Sequence, residues 1–226
     1  MFSFDGEVSA IFPDMAKRAI PNFYEAHASH ARMLNRWVKP GMTVMDVGAS
    51  RGAFFQALKD AYPDEWARGD FKLFAIDTSP DMCSYLEEEF PSVKTSCSDI
   101  SSDSPLTSFE QYDVVCAHYV LQFVQEDKQE AVVRKLMDMV KPGGVFIYGH
   151  KARHYGTLGK YMHDEYMLFR QRNGYTPEEI AAKTQALQGS MFPVDHDRLM
   201  QGLRLRFSEV VETYRFMMFS TIFARK

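Results

Sequence analysis

Cysteine is scarce in this chain. Cys83, Cys97 and Cys116 are an odd number with no C-x-x-C spacing, which excludes a disulfide framework or a zinc knuckle and points to a reducing cytoplasm. Long apolar runs are lacking as well: no stretch supplies the roughly 20 residues that a bilayer-crossing helix needs. Asp5, Glu7 and Asp14 stand where a signal peptide carries a basic start and an apolar core. Positive charge is also short, with 26 Lys and Arg against 30 Asp and Glu and a net charge of −4. That balance argues against nucleic acid as a partner, because such affinity comes mainly from Lys and Arg displacing counterions. The exception the sequence allows is a local cationic patch from Lys151, Arg153, Arg170 and Arg172. With 46% apolar and 25% charged residues, the 226-residue chain reads as one soluble globular domain, 1–226.

What the chain does carry is alternation. Val44-Met45-Asp46-Val47 is a short apolar run that breaks at Gly48, turns through Ala49-Ser50-Arg51 and breaks again at Gly52. This is the pattern of a buried strand, a tight loop and the start of a helix over 53–61. After a polar connection over 62–70, a second strand over 71–76 ends in Asp77-Thr78-Ser79-Pro80. Thr78 or Ser79 suits a helix N-cap there, with Pro80 at the first helical position. Strands over 92–96, 112–118 and 145–150 continue the series, with an amphipathic helix over 125–140 closed by Lys141-Pro142-Gly143-Gly144. Such alternation implies an α/β, Rossmann-like fold whose mostly parallel sheet is covered on both faces and binds ligands at the carboxyl ends of its strands. A helix over 196–203 and two terminal strands, 207–214 and 217–224, follow; they bring the sheet to seven strands with an antiparallel strand at one edge.

Two segments frame this core. Residues 1–40 read as an N-terminal helical cap: Phe2, Phe4, Val8, Ile11, Phe12 and Met15 recur at helical spacing until Pro21, and a second helix covers 24–37. Residues 151–190 break the alternation with two helices, over 154–173 and 177–187, rich in Tyr, Phe, Met and His; helices inserted after the fifth strand are placed to roof a cleft.

The opening loop lacks the central glycine of a dinucleotide loop, because Gly48 and Gly52 are separated by three non-glycine residues. Asp46 would repel phosphates but favours a cation. D-x-G-x-x-x-G, an acid ending the next strand, Asp99-Ile100 and the Pro-Gly-Gly turn, in that order, resemble the S-adenosylmethionine (SAM) site of class I methyltransferases. The resemblance implies that Gly48, Ala49 and Ser50 pass under the methionine and ribose with Gly52 closing the loop, and that Asp46 lies near the amino group. It implies that Asp77, followed by Thr78, holds the ribose hydroxyls, that Asp99 and the Ile100 N–H read the adenine, and that His118 lies near the methionine.

A narrower likeness covers nearly the whole chain. Phe4-Asp5, Phe12-Pro13-Asp14-Met15, Leu121-Gln122-Phe123, Asn173-Gly174-Tyr175 and Ile180…Lys183…Leu187…Met191 resemble the carboxy-S-adenosylmethionine synthase family. That resemblance implies a homodimer that takes a carboxyl group from prephenate. The chain departs from it where the chemistry falls: Thr184 follows Lys183 where the family has Arg, His118 replaces Asn, Phe23 replaces Tyr, His150 replaces Glu and Arg51 replaces Leu. Thr lacks the two-point, charge-assisted grip of Arg on a carboxylate.

The first reading is therefore methyl transfer from SAM to a small molecule by in-line displacement. The aromatic faces of Phe23, Tyr119, Tyr161 and Tyr166 suit a sulfonium, and His118 and His150, at strand ends, suit proton transfer. The second reading is a carboxy-SAM synthase with a relocated anion site, using Lys151, Arg153 or Lys183. The third keeps SAM as sole substrate, its amino group attacking its own γ-carbon to release methylthioadenosine.

Overall fold

The computed structural model of the chain describes residues 6–102 and 111–226. Phe2, Phe4 and Asp5, which the sequence placed in the first helix and in the family motif, lie outside the described residues.

Seven strands form one sheet in the order β3-β2-β1-β4-β5-β7-β6. They are β1 (Met42–Val47), β2 (Phe71–Asp77), β3 (Val93–Cys97), β4 (Tyr112–His118), β5 (Val140–Lys151), β6 (Glu209–Phe216) and β7 (Phe219–Arg225). The first five pair in parallel, while β7 runs antiparallel to both β5 and β6. The reversed strand thus sits one position in from the edge, and β6 is the edge strand. Strand order reverses between β1 and β4, which opens a crevice at their carboxyl ends, where ligands bind in sheets of this kind.

Period-2 alternation sorts the core. Val44, Leu73, Val114, Cys116, Val145 and Ile147 face one side, under α2 (Phe23–Met33), α3 (Ala53–Ala61) and α5 (Pro80–Glu89). Met45, Val47, Val115, Ala117, Phe146 and Tyr148 face the other, under α6 (Glu126–Asp138) and α9 (His196–Arg206). Central strands buried on both faces are the reason the sequence shows continuous apolar runs here.

Local signals set most boundaries. Ser79 caps α5 by accepting the Met82 N–H at 3.2 Å, with Pro80 at the first helical position. Thr176 and Glu179 form a reciprocal capping box at the start of α8 (Pro177–Ala186), an arrangement worth about 1 kcal/mol. α1 (Glu7–Ala19) carries Pro13 within it, and α7 spans Gly156–Arg172. Two expectations change. The polar connection contains a short helix, α4 (Pro63–Arg68), started by Pro63 with Asp64 and Glu65 in its first turn. The Lys141-Pro142-Gly143-Gly144 turn lies inside β5, whose pairing with β4 begins at Tyr112–Val140 and shifts register before Val114–Val145.

Candidate active site

A cavity of about 1340 Å³ opens at the carboxyl ends of β1, β2, β4 and β5. Asp46, Gly48, Asp77, His118, Tyr119 and Lys151 line it from the sheet side; Phe12 and Ala16 of α1 and Phe23 and His27 of α2 line it from the N-terminal helices. Tyr166 and Arg170 of α7 and Lys183 and Thr184 of α8 complete it. Phe23, Tyr119, Tyr166 and Phe219 belong to one apolar cluster that joins these helices to β7.

The loop after β1 is built for close approach. Gly48 takes φ +67°, and a Cβ there would stand 2.3 Å from Val120 Cγ2. Gly52 takes φ +74° with Phe90 packed against it; it starts α3 rather than lining the cavity. Ser50 sits at φ +51°, a left-handed conformation that costs a non-glycine residue of order 1 kcal/mol. Asp77 holds it there: Oδ2 accepts the Ser50 N–H at 2.8 Å, and Oδ1 accepts the Ser79 N–H at 3.0 Å. One carboxylate therefore ties the loop of β1 to the loop of β2.

Asp46 is 4% exposed. Burial pushes its carboxyl up to about 8, Asp77 adding to the rise and a hydrogen bond with Cys116 opposing it. The carboxyl is thus protonated at neutral pH, and a hydrogen-bonded chain leads away from it. Cys116 Sγ lies 3.4 Å from His118 Nδ1, His118 Nε2 lies 2.9 Å from His30 Nδ1, and His30 Nε2 lies 2.7 Å from Thr213 Oγ1. The Thr213 hydroxyl donates to the Thr221 carbonyl at 3.1 Å, so it accepts from His30 Nε2–H. His30 Nδ1 then accepts from His118 Nε2–H, and His118 Nδ1 accepts from the Cys116 thiol. Burial holds His30 down to about 3 and His118 well below its usual value, so both rings are neutral. The His27 ring meets His118 at 4.1 Å, bonds to the Phe23 carbonyl, and is held down to about 4 by burial.

Tyr119 occupies φ +59°, its N–H donating to the Gly149 carbonyl at 2.7 Å. Its hydroxyl is buried and has no partner among the described residues. The Phe23 and Tyr119 rings lie 5.9 Å apart.

The site residues expected from sequence divide accordingly. Phe23, Asp46, Gly48, Ala49, Ser50, Asp77, Thr78, His118, Tyr119 and Tyr166 all line the cavity. Four others do not. Alternation puts His150 on the Phe146 and Tyr148 face, fully buried, 3.2 Å from His196 Nδ1 and beneath α9. Tyr161 is 63% exposed, because five residues along α7 from Tyr166 is about 140° round the helix. Asp99 folds back onto Ser101, accepting its N–H at 2.7 Å and its hydroxyl at 2.8 Å. Ile100 is buried in the core. The cationic patch dissolves too: Arg153 pairs with Glu126 at 2.7 Å and Arg172 with Glu165 at 3.5 Å, while Lys151 and Arg170 turn into the cavity. Sequence reasoning missed His27 and His30. Their signal was two histidines at i, i+3, which place both on one helix face.

Sheet order, the D-x-G-x-x-x-G loop and the acid ending β2 are those of the class I SAM-dependent methyltransferase fold. A methyltransferase domain model matches residues 44–144. The fold is that of an O-methyltransferase family protein from Burkholderia thailandensis (TM-score 0.62, 13% identity, covering 97% of this chain and 59% of that one). It is also that of magnesium protoporphyrin IX methyltransferase from Synechocystis, solved with bound SAH (TM-score 0.61, 14% identity, 98% and 90%). Among curated proteins the chain is similar to carboxy-S-adenosyl-L-methionine synthases. That of Helicobacter hepaticus is 26% identical over 231 residues, covering 100% of this chain and 95% of the relative. That of Desulfotalea psychrophila is 29% identical over 216 residues, covering 94% and 86%.

Proposed function

We propose that the protein transfers the methyl group of SAM to a small molecule held in the same cavity. The observation that carries this reading is the cavity's extent: about 1340 Å³ exceeds the roughly 1,000 Å³ of a large single-ligand site, leaving room for a cofactor and an acceptor. The residues present fit a sulfonium nucleoside. The Asp46 carboxyl lines the cavity and would ionise beside a bound cation, and no phosphate-binding glycine lies between Gly48 and Gly52.

Asp46, Gly48, Ala49, Ser50, Asp77 and Thr78 would hold the cofactor, which supplies an electrophilic methyl group when bound. Phe23, Tyr119 and Tyr166 exclude water and offer aromatic faces to a positive charge, worth about 2 kcal/mol when dry. His118 is a neutral imidazole in the cavity wall and takes part in proton movement through its bond to His30. Positioning of this kind supplies ~7 to 11 kcal/mol of a bimolecular barrier. The helices over 151–190 act as a lid. Thr184 donates its hydroxyl to the Ile180 carbonyl at 2.8 Å, so it offers no replacement for the Arg that grips a carboxylate in the resembling family. The same resemblance supports a cytoplasmic homodimer, which light scattering of the purified protein checks.

The test is incubation with SAM alone, with SAM and prephenate, and with SAM and an acceptor panel, with nucleoside products identified by mass. S-adenosylhomocysteine appearing only with an acceptor is the expected result. Methylthioadenosine from SAM alone, or carboxy-SAM from prephenate, would replace methyl transfer by one of the other two reactions.

A further inference from the structure

Lys151 and Arg170 stand apart from the other cations of this protein. Arg170 is 7% exposed, its Nε is buried without a hydrogen-bond partner, and it forms no ion pair among the described residues. The Lys151 ammonium has only the Met191 sulfur at 3.8 Å as a weak acceptor and forms no ion pair among the described residues. Both line the cavity and flank one ring: Lys151 Nζ is 4.8 Å and Arg170 Cζ 5.5 Å from the centre of Tyr166. Arg153, two residues from Lys151, and Arg172, two residues from Arg170, each have a carboxylate partner. Burying two like charges side by side is costly unless an anion joins them. Burial lowers the Lys151 ammonium to about 8, Arg170 contributing, and no carboxylate opposes that fall.

We infer that Lys151 and Arg170, both beside the Tyr166 ring, form a carboxylate-binding site, and that the second substrate is a small acid carrying an apolar or aromatic body. This rests on the proposed methyl transfer, because it names the acceptor class of that reaction. Position favours an acceptor over the cofactor's own carboxylate. Lys151 ends β5, two strands from the β1 loop in the order β1-β4-β5, which at the usual strand spacing is about 10 Å across the sheet. Tyr166 and Phe219, whose ring centres are 5.3 Å apart, make the neighbouring wall apolar. An acid anchored there has its far end directed toward the β1–β4 crevice, so the atom that receives the methyl group lies several bonds from the carboxylate.

The test is calorimetry on the full chain and on Lys151→Met and Arg170→Gln, each first shown to melt as a folded protein; either variant alone suffices. Probes are benzoate, phenylacetate and 3-phenylpropanoate, each against its neutral amide, in the presence of S-adenosylhomocysteine. S-adenosylhomocysteine and methylthioadenosine are also titrated alone. We expect at least one acid to bind tenfold or more tightly than its amide. Each substitution should weaken that acid at least tenfold while leaving both nucleosides within twofold. A tenfold loss of S-adenosylhomocysteine with methylthioadenosine unchanged supports the carboxylate site but assigns its ligand to the cofactor tail, overturning the acceptor assignment. Acids and amides binding alike, or variants that alter neither acids nor nucleosides, overturn the inference. Failure of S-adenosylhomocysteine to bind the unmodified protein defeats the methyl-transfer reading itself.

Discussion

Replacing Asp46 by Asn is expected to stabilise the ligand-free protein, and to do so more as pH rises. The carboxyl titrates at 3.8 in an ordinary setting and at about 8 in the folded protein. Between those values the folded protein keeps a proton that the unfolded chain has released, so stability falls as pH rises, by up to about 1.4 kcal/mol per unit. From pH 4 to pH 7 this amounts to about 4 kcal/mol, all of it lost by Asp and none by Asn, which cannot ionise. For a chain of this length the difference is on the order of 10 °C in melting temperature. Thermal melts of both proteins at pH 4.5, 6 and 7.5 without ligand measure it. The Asn protein should gain little at the lowest pH and most at the highest, and should bind SAM more weakly at every pH. An increment that stays flat with pH, or that shrinks as pH rises, would refute the argument that a buried, protonated carboxyl sits under the glycine loop.

Other expectations follow from the same geometry. Asp77→Ala removes the acceptor for both Ser50 and Ser79 N–H; at about 1.5 to 3 kcal/mol per charge-assisted bond, SAM binding should fall below calorimetric detection, and retained affinity would remove Asp77 from the site. Gly48→Ala meets Val120 Cγ2 and a positive φ together; the melting temperature should drop by several degrees, with Val120→Ala recovering only the packing share, at about 1 to 3 kcal/mol for each component. His27, His30 and His150 are held down to about 4, 3 and 3 by burial. The unfolded chain gains protons below 6.5 that the folded one refuses, so stability should fall as pH drops from 6.5 toward 4, by up to about 1.4 kcal/mol per unit for each ring. Because Asp46 pulls the opposite way in that window, the net fall is smaller than three rings alone would give, and equal urea midpoints at pH 6.5 and 5 would contradict it.

The sheet and the loop were legible because the relevant groups are neighbours in sequence. β1, its two glycines and the acid ending β2 announce themselves by apolar runs that stop at Gly or Pro, and the structure assembles them with little displacement. Pro63 was a readable start for α4, but six residues give too short a period to detect. The wrong strand-end histidine was avoidable: His150 shares its face with Phe146 and Tyr148, a matter of counting by twos. Tyr161 fails by the corresponding count on a helix. The polar chain beneath the cavity was not readable, since His30 and His118 are 88 residues apart and meet only when α2 docks on β4. The inward turn of Lys151 and Arg170 was equally hidden, because sequence gives the charge of a residue but not the carboxylates it lacks.

The chain from Asp46 to Thr221 has one further property. Each member between its ends has a single proton to give, so the bonds have just two self-consistent orderings, one the mirror of the other. With Asp46 protonated, every donor points outward toward β7; with Asp46 ionised, the Cys116 thiol turns to the carboxylate and both imidazoles carry their protons on Nδ1. Thr213, on the edge strand, therefore reports the charge at the cavity floor although three strands lie between β6 and β1. Nitrogen shifts of the His30 ring, read with and without a bound cation, give the ordering directly.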